Sequence, residues 1–286
     1  MNPNLLLTII LGLFSCGQAL PRRAALQQEQ EKDLSVHPYV KVRAIPLPPG
    51  YWRVAIDSSS FGAWLRDCPL KKDPTVYLYN GQPKRNQKAQ FAVLDISVGT
   101  KDLQQCADAV MRLRAEYLYS RRDFGAIDFY TGQGTELNFL EWAKGKRYKQ
   151  TGGRLVAYMG QGAGGTCKER SCFDDYLETV FSYCGTLSLE RQLAPEDMRD
   201  MQIGDVLIRG GSPGHAMIVM DMARNAAGHI IYLLAQSYMP AQDIHIVLNP
   251  DKGDQDPWYT VQEGPVTTPE WVFRSGQLRT WPIKGR

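Results

Sequence analysis

The chain has 286 residues, 43% of them hydrophobic, enough to bury a full core as one large domain or two small ones. Its net charge is only +3 and no basic stripe interleaved with aromatics runs through it, so the sequence offers no case for nucleic acid. Six cysteines are too few for a disulfide-built scaffold, and none of the four histidines has the spacing of helical metal ligands, so no metal and no cofactor is expected.

Residues 1–19 read as a signal segment. The run "LLLTIILGLF" (5–14) suits a signal-peptide core and is too short to span a bilayer. The adjoining "LFSC" resembles a bacterial lipobox, with Leu13 at its head and small Ser15 just before Cys16. That resemblance implies cleavage before Cys16 and a lipid on its thiol. Soluble secretion, with Gly17-Gln18-Ala19 as the cleavage site, is the competing reading. Both put the mature chain in the cell envelope or beyond, on the periplasmic side and outside the cytoplasm, where disulfides are permitted. Residues 20–44 read as a polar linker, and 45–286 as a single α+β domain.

Within that domain "SSSFGAWLRDCPL" (58–70) looks like a short capped helix, and "TVYLYNG" and "AQFAVLDIS" read as strands. Over 100–121 Leu103, Cys106, Ala107, Val110, Leu113, Tyr117 and Leu118 recur at helical spacing, with Thr100 as the cap. On that stripe Cys106 counts as a core residue, as does Cys184 on the next helix. "GAIDFYTG" is a strand, Trp142 marks a short helix, and "RLVAYM" (154–159) is another strand. A second long helix is expected from Cys172 to Cys184, capped by Ser171 and stopped by Gly185. "DVLIRGG", "HAMIVMDMA", "HIIYLLAQSY" and "DIHIVLN" are then closely spaced strands that favour antiparallel pairing. Trp258, Tyr259 and Trp271 read as core plugs under a long loop rather than a sugar groove, His245 as structural, and His229 as solvated.

One motif is a false lead. "GQGAGG" has the G-x-G-x-x-G form, but six residues separate it from the next helix and no second βαβ unit supplies a ribose-binding acid. The stretch "MQIGDVLIRGGSPGHAMIVMDMA" carries more. Its glycine-rich turn delivers His215 to the first position of an apolar strand, and it resembles the histidine segment of papain-like cell-wall hydrolases, the NlpC and CHAP groups. The resemblance implies a nucleophilic cysteine at a helix N-terminus forty to fifty residues earlier, where Cys172 stands. A helix N-terminus and a nearby imidazole both favour a thiolate. Hairpin geometry sets His215 opposite residue 237, give or take one, so Gln236 or Ser237 would orient the ring, while Asp221 lies too far along the strand. Three readings of Cys172 stay open: a reactive thiol, a disulfide to Cys167, and an inert thiol.

From about 58 to 282 the chain also resembles a bacterial family known only as a domain of unknown function. "DLQQCADAVMRLRAEYLY", "TLSL", "LLAQSYMPAQDIHI" and "TPEW" carry that resemblance. Together the resemblances imply a papain-like (NlpC/CHAP-type) α+β core, mainly over 154–282. Two functions follow as expectations. One is an envelope protein whose degenerate thiol site binds a cell-wall or protein ligand. The other is an active Cys-His hydrolase of peptide or amide bonds in peptidoglycan.

Overall fold

The long apolar run that follows the glycine-rich turn is the centre of a nine-stranded antiparallel sheet. The computed structural model describes residues 38–160, 166–253 and 255–282, so the expected signal segment, Cys16 and most of the expected linker lie outside the described residues. The strands begin with β1 (Tyr51–Arg53), β2 (Gln90–Val93), β3 (Asp128–Tyr130), β4 (Glu136–Asn138), β5 (Lys146–Thr151) and β6 (Arg154–Met159). They continue with β7 (Ala194–Pro195), β8 (Val206–Arg209), β9 (His215–Asn225), β10 (Ile230–Gln236) and β11 (His245–Val247). The last four are β12 (Trp258–Thr260), β13 (Val266–Thr267), β14 (Val272–Phe273) and β15 (Leu278–Thr280). The helices are α1 (Phe61–Arg66), α2 (Cys106–Ser120), α3 (Phe139–Ala143), α4 (Arg170–Tyr183) and α5 (Thr186–Gln192). No helix among the described residues is long and apolar enough to cross a membrane.

The sheet runs β2-β11-β10-β9-β8-β15-β7, with β1 pairing β9 and β12 pairing β10. Every residue of β9 from His215 to Ala223 is buried, which explains its near-continuous apolar run: both faces are covered. Ala216, Ile218 and Met220 face the core that holds α1, α2 and α4, whereas Met217, Val219 and Met222 pack with Tyr232, Tyr259 and Phe273 on the other side. Each large apolar side chain so covered contributes roughly 1.5–3 kcal/mol. In the middle of this strand sits a charged group, Asp221, fully buried and paired with Arg53 at 2.6 Å and Arg66 at 2.5 Å.

Several local expectations need correction. Val42 is buried, so the folded body takes in the end of the segment assigned to the linker. "TVYLYNG" forms isolated bridges only, Tyr77 to Pro83 and Leu78 to Gln242. The helix expected from Cys172 starts two residues earlier, on an N-cap Glu169 that makes no side-chain capping bond. Trp258 and Tyr259 are core residues, as expected.

The helix expected over 100–121 begins at Cys106, not near Thr100. The segment before it is spent on other bonds. Leu103 N–H bonds Lys101 O, Gln105 N–H bonds Leu103 O, and the Asp102 carboxylate accepts from Ala241 N–H at 2.6 Å. The Asp108 carboxylate then caps the helix by accepting from Gln105 N–H at 3.0 Å. This late start moves Cys106 from the middle of an apolar stripe to the first residue of α2.

Candidate thiol-imidazole site

The turn before β9 is built for close approach. A Cβ on Gly214 would stand 2.5 Å from the Thr186 hydroxyl oxygen and 2.8 Å from Arg209 O, so only glycine fits directly before His215. The turn thereby lays the His215 ring among Tyr238, Trp271 and Phe273, with centroids 4.8, 5.2 and 5.9 Å away. His215 is 1% exposed, and burial above all pushes its imidazole down to about 4, against the pull of the Gln236 hydrogen bond and Glu270.

His215 Nε2 bonds Gln236 Oε1 at 2.7 Å, so the amide the hairpin geometry pointed to does meet the ring. Ser237 does not. Its hydroxyl donates to the carbonyl oxygens of Gln104 and Gln242, at 3.0 and 2.8 Å, which ties β10 to the turn before α2. Beyond Gln236 lies a polar network hidden from the sequence. Gln236 Nε2 donates to Glu270 Oε2 at 2.8 Å and lies 3.2 Å from His245 Nε2. Glu270 is itself held by Lys84 at 2.5 Å and Asn86 at 3.1 Å. Burial alone would raise the Glu270 carboxyl, but Lys84 overrides it and holds the group below the usual carboxylate range. His245, fully buried, is pushed down to about 3.

Cys172 takes no part in this arrangement. Its sulfur is bonded to Cys167, and the inward slot on its helix belongs to the fully buried Phe173. The assignment of Cys172 as nucleophile is therefore corrected: a sulfur in a disulfide has no thiolate to offer. Glu169 lies close to both sulfurs, but the bond between them also removes the thiolates a metal would need. Non-reducing peptide mapping should recover Cys167 and Cys172 as one linked pair and leave Cys106 alkylatable after unfolding.

The cysteine that heads a helix on the His215 cleft is Cys106. Both line one open cleft of about 460 Å³, together with Asp108, Cys184, Thr186 and Tyr238. The helix α2 packs across β9, and the Cys106 sulfur takes a hydrogen bond from the backbone N–H of Ala216, the residue after His215. Burial raises the half-buried thiol to about 11 and the Asp108 carboxyl adds to that, while backbone N–H groups of Ala216, Ala107 and Cys106 itself favour the thiolate. Burial likewise pushes the Cys68 and Cys184 thiols far up. Trp271, expected as a core plug, is also on the cleft wall. The signal that could have found Cys106 is the spacing of Gln105 and Asp108, a capping pair that starts a helix where the sulfur stands.

Comparison with known proteins adds one match. A family model described as "Domain of unknown function (4846)" covers residues 42–280. No curated protein and no solved structure matches the chain.

Proposed function

Since the chain belongs to that family of unknown function, over most of its length, we propose from its own geometry that it is a thiol hydrolase of peptide or amide bonds, with a papain-like arrangement of Cys106, His215 and Gln236. The observation that carries this reading is the placement of a helix-N-terminal thiol and a buried, amide-anchored imidazole on one cleft. The apolar segment 5–14 and the "LFSC" that adjoins it support an envelope location and hence peptidoglycan peptides as the substrate class.

In the resting site the pair is a neutral thiol and a neutral imidazole, since burial holds one proton on sulfur and keeps the other off the ring. His215 therefore acts as a general base only when substrate arrives. The sulfur attacks the carbonyl carbon as its proton passes to Nδ1, the nitrogen not engaged by Gln236. The amine leaves with that proton, and a thioester remains on Cys106. Water then attacks the thioester, gives a proton to Nδ1, and the proton returns to sulfur as the acid departs. The α2 N-terminus, with its partial positive charge, favours the negative charge that develops at both attacks.

The sign of the pH dependence follows. Only the unprotonated ring can take the thiol proton, so kcat/KM should rise as pH rises through about 4 and hold level into the neutral range. An exposed histidine base would put that midpoint near its ordinary value of about 6.5. A peptide carrying an electrophile should label Cys106 in the native protein in preference to Cys68 and Cys184, read by peptide mass. Labelling spread evenly over the three thiols would sink the hydrolase reading. One observation favours a second reading: a ring 1% exposed beside a thiol raised to about 11 also suits a cleft that binds without reacting. In that case peptidoglycan peptides bind, but no thioester forms on Cys106.

A further inference from the structure

We propose that Glu270 and His245 are positioning residues that hold the Gln236 amide in one orientation, so that His215 keeps its proton on Nε2 and offers Nδ1 to Cys106. The inference rests on the thiol-hydrolase reading for its catalytic meaning, but the hydrogen-bond logic stands on the structure alone.

The logic starts at a backbone carbonyl. His245 Nδ1 lies 2.9 Å from Asp243 O, which only accepts, so the proton of the neutral His245 ring is on Nδ1. His245 Nε2 is then a lone pair, and it faces Gln236 Nε2 at 3.2 Å. The second proton of the same amide goes to Glu270 Oε2 at 2.8 Å. Glu270 is kept ionised by Lys84, and its other oxygen is taken by Asn86. Both amide hydrogens are thus committed, and only Oε1 is left for His215 at 2.7 Å. An oxygen that only accepts requires a proton on His215 Nε2, and a neutral ring then carries its lone pair on Nδ1.

Turning the amide by 180° would set its oxygen against a carboxylate and against a lone pair at once. The contact with His245 would be buried and that with Glu270 partly so, since Gln236 and His245 are 1% and 0% exposed. The arrangement also answers why an amide serves where papain-like sites commonly use a carboxylate or asparagine. The carboxylate is present one step removed, 34 positions along the chain at Glu270, and acts through Gln236. The Lys84 charge beside Glu270 keeps that carboxylate an acceptor throughout.

The test reads the tautomer directly, on the full chain labelled with [15N]histidine, by long-range couplings between ring nitrogens and carbon-bound protons. In the wild type at neutral pH, His215 should be wholly Nε2-protonated. Glu270→Leu with His245→Leu removes both acceptors of the Gln236 amide hydrogens. The amide can then present either end, and His215 should become a mixture of the two tautomers. Glu270→Leu alone should admit a detectable Nδ1-protonated fraction, whereas Glu270→Gln still offers an amide oxygen to Gln236 Nε2 and should keep the Nε2 proton. On substrate, the double variant should cost at least about 10-fold in kcat with KM little changed, and Glu270→Gln should keep most of the rate. A wild-type His215 protonated on Nδ1, or a folded double variant whose His215 stays wholly on Nε2, overturns the proposal. Should the double variant fail to fold, the wild-type tautomer and Glu270→Leu decide. The expected tautomer changes with no hydrolysis or thioester in any form would keep the lock and remove the hydrolase reading. Hydrolysis that ignores the double variant, with the tautomer unchanged, would remove the lock alone.

Discussion

Cys106→Ala should lose at least about 10³-fold of the rate of the proposed hydrolysis of peptidoglycan peptides, while Cys172→Ser keeps most of it. The two substitutions remove comparable atoms, so the contrast isolates position. Cys106 heads a 15-residue helix on the cleft that holds His215, and its sulfur already receives the Ala216 N–H. Cys172 lies in the first turn of a different helix and is bonded to Cys167. Removing the Cys106 sulfur deletes a bond-forming atom that the imidazole and the cleft cannot replace. Losing Cys172 opens a short surface loop and leaves the Cys106 and His215 side chains where they were. The measurement is amine release over time for each variant, with thermal unfolding recorded to show that both are folded. The reverse pattern, an inactive Cys172→Ser and an active Cys106→Ala, would overturn the site.

The second large effect concerns stability. Asp221→Asn should cost about 3–5 kcal/mol, because a buried charge cluster loses its only anion in contact with two guanidinium groups. Asp221 is 0% exposed; Arg66 donates to it from within the core, and Arg53 reaches it from β1. Both arginines have further fixed bonds, Arg53 to Ile45 O at 2.7 Å and Arg66 to Val54 O at 2.8 Å, so neither can leave for water without breaking them. An amide of the same shape would leave one positive charge facing a neutral oxygen and place N–H donors against N–H donors. For a domain of this size each kcal/mol shifts Tm by roughly 2–4 °C, so a fall of roughly 10 °C is expected by calorimetry. A shift of under about 2 °C would mean that water or a neighbouring group relieves the arginines. This cluster is remote from the cleft, so substrate labelling at Cys106 should survive in the fraction that remains folded.

The antiparallel strands from β8 to β11 were legible because glycine, proline and asparagine turns cut the apolar runs at short intervals. His215 was legible for the same reason, since a turn with three glycines delivers it to the head of the apolar run. Gln236 followed from counting across a hairpin whose register slips by one between Leu233 and Leu234, an irregularity too small to move the answer. Cys106 was not legible as a residue of the cleft. Leu103, Cys106, Ala107 and Val110 fit a helical stripe, and periodicity alone cannot tell where a helix begins when the preceding turn imitates it. What sets the start is a tertiary bond from Asp102 to Ala241 and the Asp108 cap. Glu270 was hidden more completely. It meets Gln236 across 34 positions and Lys84 across 186, and no local pattern encodes contacts of that range.

The 186-position separation of Lys84 and Glu270 has a bearing on the life history of the molecule. Contacts so distant in sequence close late in folding, after hairpins such as β9-β10 have formed from neighbouring residues. A chain that has built its sheet but not yet brought residue 270 against residue 84 holds the amide hydrogens of Gln236 through His245 alone, and the His215 tautomer is held less firmly. The protein would therefore emerge from synthesis with the proposed site not yet locked. Competence would arrive only with the final long-range closure, a form of latency that needs no propeptide.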